Sequence, residues 1–221
     1  MKRLFALPAV AALLLAGPPA SAKPIAFQDG WTAMAEYGAG TMSEAQTYYA
    51  PKFWYSIGAG QLRIEADDGS FSRDITYLRT NALLKRWNLP KAQANIFAFG
   101  GLGRATASDF AGAKTVGQAG LQADFETLRF YSSAKTELHH ATAFDHRIDT
   151  LQLGFAPYAH RYDGVATWIV AQGREYTGGI YSGTEVALLL RLFAARSWGS
   201  VWFEAGPTLD GKLQAMTMFN F

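Results

Sequence analysis

Three of the four histidines of the chain fall within one octapeptide, His139-His-Ala-Thr-Ala-Phe-Asp-His146. Neutral imidazole beside carboxylate is a donor set that suits zinc, copper or nickel, so His139, His140 and His146, with Asp145 near them, are candidate metal ligands. Their spacing matches no specific metal motif, and a polar His-rich connection is more often simply solvated. The same residues, His139, His140, Asp145 and His146, are the candidates for hydrolysis of a lipid or peptide, which needs a nucleophile or water held by a base that a further group orients. Hydroxyls are badly placed for such chemistry, because Ser132 and Ser133 lie six to eight residues before the histidine pair, roughly 20 Å along an extended strand. His160 sits in a turn shaped by Asp163-Gly164 and needs no chemical role. Gly100-Gly101-Leu102-Gly103 follows Phe97 and Phe99 and precedes neither a helix nor a Lys-Ser/Thr pair, so it is no phosphate loop. Glycine there permits close strand approach or bending. No cofactor is implied.

The elements that must carry these groups are strands. Glycine is frequent at 22 residues, aromatics reach 14% and charged residues only 17%. Segments of about ten residues separated by polar or glycine-containing turns recur, the pattern of a transmembrane barrel. Ten are placed near 53–65, 73–85, 92–105, 113–125, 128–138, 147–158, 165–174, 184–194, 199–208 and 212–221. Two shorter candidates, 27–37 and 43–50, precede them, with Tyr37-Gly-Ala-Gly40 as the turn between. Twelve strands are preferred. Ten strands with an N-terminal periplasmic segment or plug is the alternative. The connections, including 139–146, are all short.

Residues 1–22 read as a cleaved export signal. Lys2 and Arg3 form the basic start, Leu4 to Leu15 the apolar core, and Ala20-Ser-Ala22 the cleavage site. Its loss leaves 18 basic residues against 18 acidic ones, and there is no basic stripe of the kind nucleic-acid binders use. The absence of cysteine excludes disulfides and thiolate metal sites. Beyond the signal the longest apolar runs, such as Val186 to Leu190, stop at about five residues, so residues 23–221 can enter a membrane only as strands.

In Leu213-Gln-Ala-Met-Thr-Met-Phe-Asn-Phe221, the positions Leu213, Ala215, Thr217, Phe219 and Phe221 form one mostly apolar face. A period-2 strand ending on Phe, in a chain that begins with an export signal, resembles the Gram-negative outer-membrane β-barrel proteins. The resemblance implies an all-β, closed antiparallel transmembrane barrel in the bacterial outer membrane. Its partners would be the bilayer, lipopolysaccharide and the barrel-assembly machinery that reads the strand ending in Phe221, and it would act as a monomer. With the C-terminus periplasmic, Trp54, Trp87, Trp168, Trp198, Trp202 and Trp31 all fall near periplasmic strand ends, as an interfacial girdle requires. Among barrels of this kind, a lipid A deacylase-like site would need His and Ser two apart on one face, and His140-Ala141-Thr142 departs from that.

A charge facing lipid costs about 2–4 kcal/mol at the midplane, so charges inside alternating strands must look inward. By that argument the lumen holds Asp124, Glu126, Glu137, Glu185 and Glu204 against Arg79, Arg129, Lys135 and Arg191, with Asn81, Gln118 and Gln122. In 184–194, Val186, Leu188, Leu190 and Leu192 form the lipid row. Segment 53–65 is ambiguous, because Gln61, Arg63 and Glu65 suit either the lumen or a position above the bilayer. So even a charge balance favours pairing across strands. The expected function is a non-enzymatic structural barrel or a narrow porin-like passive channel for small polar solutes. The alternatives are a surface hydrolase and a metal-binding or metal-uptake accessory, both using the histidine segment.

Overall fold

The computed structural model describes residues 25, 27–159, 164–196 and 199–221, and they contain no helix. Twelve strands follow in order: β1 (Gly30–Gly38), β2 (Met42–Lys52), β3 (Tyr55–Glu65), β4 (Ser72–Leu89), β5 (Ala92–Ala107), β6 (Lys114–Thr127), β7 (Phe130–Ala141), β8 (Phe144–Phe155), β9 (Val165–Thr177), β10 (Gly183–Arg196), β11 (Gly199–Pro207) and β12 (Leu213–Asn220). Each pairs antiparallel with its sequence neighbours, and β12 returns to pair with β1 in register Ala35↔Thr217. The first two segments are therefore wall strands, which decides for twelve over ten. At the seam the Trp31 and Phe221 backbones exchange hydrogen bonds of 2.6 and 3.0 Å. Closure of this kind removes both free edges of the sheet.

The β1–β2 turn shows how local sequence sets the register. Ala39 and Gly40 both take positive φ, 51° and 84°, and the Thr41 N–H donates to Gly38 O at 2.9 Å. Two successive left-handed residues give the turn whose twist matches that of the flanking strands. The expected connection 139–146 is replaced by a tight hairpin. β7 runs to Ala141 and β8 resumes at Phe144, leaving two turn residues, because the in–out alternation continues through the histidines.

Alternation also sorts the two faces. Leu78, Leu102, Leu138, Leu151, Val186, Leu188 and Leu190 are exposed on the outer wall, while polar side chains at alternate positions turn inward. Trp31, Trp54 and Trp87 are exposed near the end where β1 begins, but Trp168 and Trp202 are 3% exposed and belong to an interior cluster. These two correct the expected girdle: they stand at the right height with the wrong parity. Trp198 and His160 lie outside the described residues. Gln61, Arg63 and Glu65 resolve to the outer face, where Arg63 bonds Glu65 at 2.6 Å and Asp74 at 3.0 Å.

The interior is layered. At the loop end, side chains from β2 to β9, among them Met42, Leu62, Ile64, Ile75, Phe144, Ile148 and Tyr176, pack into one apolar plug with Phe110, Ile180 and Tyr181 from two loops. At the opposite end a second apolar cluster centres on Trp168, Leu189, Phe193, Trp202 and Met218. A polar belt lies between. Inward glycines make room for its large members. A Cβ on Gly58 would meet Tyr48 at 2.3 Å, and one on Gly120 would meet Phe99 at 2.2 Å.

Candidate functional site: the lumen belt and the histidine hairpin

The belt is a set of braces between strands, many of them not neighbours in the sheet. Arg79 on β4 donates to Glu137 on β7 at 2.9 Å and to Gln46 on β2 at 2.6 Å, and also meets the Tyr48 hydroxyl. Lys135 holds the other Glu137 oxygen at 2.6 Å. Arg174 on β9 reaches across to Glu36 on β1. Arg191 contacts Glu204 at 2.8 Å and Gln152 at 2.8 Å, and its guanidinium lies over the Tyr131 and Trp202 rings. A glutamine relay continues from there: Gln152 donates to Gln172 at 2.6 Å, Gln172 to Gln214 at 2.6 Å, and Gln214 to Glu185 at 3.1 Å. Thr41 also donates to Glu185, at 2.6 Å.

Seven of the nine ionisable residues read as inward, Arg79, Asp124, Glu126, Glu137, Glu185, Arg191 and Glu204, are buried. Lys135 is partly buried, its side chain 22% exposed. Asp124 accepts from Asn95 at 2.6 Å near the end where β1 begins. Arg129 differs from the expectation. It is exposed in the β6–β7 turn, with its guanidinium on the carbonyls of Ala156 and Pro157 at 3.2 and 3.1 Å, so it fastens a rim instead of lining the lumen. The sequence pattern alone did not single out Glu36, Glu44 and Arg174. Glu44 and Arg174 share parity with an inward Gln or Tyr two residues away (Gln46 after Glu44, Gln172 and Tyr176 around Arg174), and that parity is a signal the sequence holds; Glu36 has only Met34 and Gly38 at those positions.

Between the braces remains a cavity of about 120 Å³, lined among others by Gln46, Arg79, Lys135, Gln172 and Arg174. At the loop mouth Lys212 bonds Asp67 at 2.6 Å, joining the β11–β12 and β3–β4 connections. Accepting that hydrogen bond, Asp67 holds the Lys212 ammonium above the ordinary lysine range.

The histidine hairpin divides by face. His139 and His146 are opposite each other in register, both 2% exposed and inside the barrel. His140 and Asp145, also in register, are outside, their side chains 77% and 80% exposed and Nδ1 within 2.5 Å of the carboxylate. The wall of the barrel therefore separates His140 and Asp145 from the other two. A hydrolytic site or a metal site drawing on both pairs is ruled out by the period of two. Among the described residues no three His, Cys, Asp or Glu side chains converge so as to hold a metal ion.

No family model matches the chain, and no curated protein matches it. Among solved structures it is similar to CdiB from Acinetobacter baumannii, with a TM-score of 0.32 and 7% identity over 89% of this chain and 60% of that one. The chain thus spans less than two thirds of the length of that protein.

Proposed function

We propose that the protein is a structural barrel of a Gram-negative outer membrane, with a lumen sealed at rest. Support for the membrane comes from the closed ring, whose backbone amides pair internally, and from an outer wall carrying apolar side chains in exposed rows. Support for a sealed lumen rests on one observation: braces run from β4 to β7 and from β1 to β9 across the space a pore would occupy, beneath an apolar plug. A passive channel needs a continuous wet path, and buried paired charges fill that space instead. The test is electrical. Purified protein in planar bilayers is expected to give no current above the lipid background, and stable unitary steps from the wild type would reject the proposal. The outer His140–Asp145 pair has no hydroxyl of Ser or Thr bonded to it among the described residues, so phospholipid and peptide turnover are expected to be absent as well.

A further inference from the structure

Gln118, His139 and His146 stand side by side on β6, β7 and β8. Gln118 is in register with His139, and His139 with His146. They are 5%, 2% and 2% exposed. Neither ring nitrogen of either histidine, and neither amide atom of Gln118, has a hydrogen-bond partner among the described residues. Interiors normally pair such groups. A row of unpaired donors and acceptors facing one another is what a ligand site looks like from the protein side.

We infer that His139 and His146 form an interior two-imidazole site for a single monovalent copper ion, with the Gln118 amide beside it. Imidazole suits the copper and zinc class. The usual zinc site takes three or four protein ligands, and here no third His, Cys, Asp or Glu converges among the described residues. The walls are largely apolar, from Val116, Phe144, Ile148 and Tyr176, with one buried cation near them, the Arg73 guanidinium 3.8 Å from the Phe144 ring centre, which also disfavours a second charge on a bound ion. Burying an ion costs free energy that rises with the square of its charge, so a neutral donor set in such a place favours one charge over two. The carboxylate two residues along the same face, Glu137, is already held by Arg79 and Lys135.

Spacing agrees with that choice. The two ring centroids are 6.0 Å apart. With metal–nitrogen bonds of about 2 Å, two imidazoles on one ion have centres about 6.3 Å apart in linear coordination and about 5.2 Å apart in tetrahedral coordination. The observed spacing lies nearer the linear arrangement. The β9–β10 loop closes over one ring: a Cβ on Gly179 would come within 2.3 Å of His146 Nδ1. Nε2 is therefore the less crowded nitrogen of His146.

Anaerobic titration of the detergent-purified barrel with copper(I), against a chromophoric copper(I) chelator, tests this independently of whether the barrel conducts. The wild type is expected to take one equivalent and gain thermal stability. His140→Ala should retain both properties. His139→Ala and His146→Ala should lose both while still migrating as folded barrels on unheated gels, and Gln118→Ala should weaken binding less than either. If those two variants fail to fold, X-ray absorption of the loaded wild type decides: two nitrogen scatterers support the site, and any sulfur scatterer overturns it. Absence of binding by folded wild type, or loss of binding in His140→Ala, overturns the site. Tighter one-equivalent binding of zinc(II) overturns the monovalent assignment.

Discussion

Arg191 sits 1% exposed on the inner side of a wall whose outer face is apolar, and what holds it is Glu204 at 2.8 Å, Gln152 at 2.8 Å and two aromatic faces. Removing one member of such a pair strands the other charge, which costs about 3–5 kcal/mol, whereas replacing both with apolar groups of similar volume costs far less. In urea unfolding of vesicle-reconstituted protein, Arg191→Met and Glu204→Gln should each lose that much. The Arg191→Met/Glu204→Leu double variant should recover most of it, and additive losses would show that the pair does not act as a unit. Glycines supply a second contrast. A Cβ at Gly58 would lie 1.9 Å from Thr47 O, whereas one at Gly173 meets nothing within 4 Å. Gly58→Ala is accordingly expected to cost at least about 1–3 kcal/mol through overpacking, and Gly173→Ala to stay within about 0.5 kcal/mol.

At the scale of the strand, β10 carries the alternation in its plainest form: Glu185, Ala187, Leu189, Arg191 and Phe193 inward, and Val186, Leu188 and Leu190 outward. In the proposed membrane setting Leu188→Arg places a charge in the hydrocarbon and should lower unfolding stability by about 2–4 kcal/mol, while Thr184→Arg at the loop end should cost about 0–1 kcal/mol. Equal losses at the two positions would mean that β10 does not face lipid in this way. Where alternation governs, as in β10 and β12, the faces are legible from sequence alone, and the strand boundaries with them. Where another signal competes with it, the sequence misleads. The polarity of 139–146 suggests a loop, although His139, Ala141, Phe144 and His146 all stay on the inward face across a two-residue turn. The interfacial preference of tryptophan points Trp168 and Trp202 to a girdle, although each belongs to an inward row, with Ala166 and Val170 on β9 and with Ser200 and Glu204 on β11. The partners of the lumen charges are not legible at all. The Arg79–Glu137 and Arg174–Glu36 contacts depend on how far the sheet shears as it closes, and no local pattern in one strand encodes that offset.

Taken as a whole molecule, the lumen holds two obstructions in series, the loop-end plug and the braced belt below it, and the proposed closure treats both as seals. They fail in different ways, because an apolar constriction blocks ions by excluding water whereas a belt of paired charges blocks them by filling space. Cutting the belt alone, with Arg79→Ala and Arg174→Ala, should leave the barrel silent in planar bilayers, since Phe144, Ile148 and Tyr176 still close the mouth. Truncating the plug alone, with Phe144→Ala and Tyr176→Ala, should leave it silent too, because the braces persist. Combining the four substitutions should open a path lined by Glu36, Glu44 and Glu137 with two of their cationic neighbours gone. The current should then be cation-selective, read as a reversal potential displaced toward the potassium equilibrium value in a KCl gradient. Current from either half-variant would show that one seal carries the closure by itself. An anion-selective current from the combined variant would show that the cations that stay, Lys135 and Arg191 among them, outweigh the freed carboxylates.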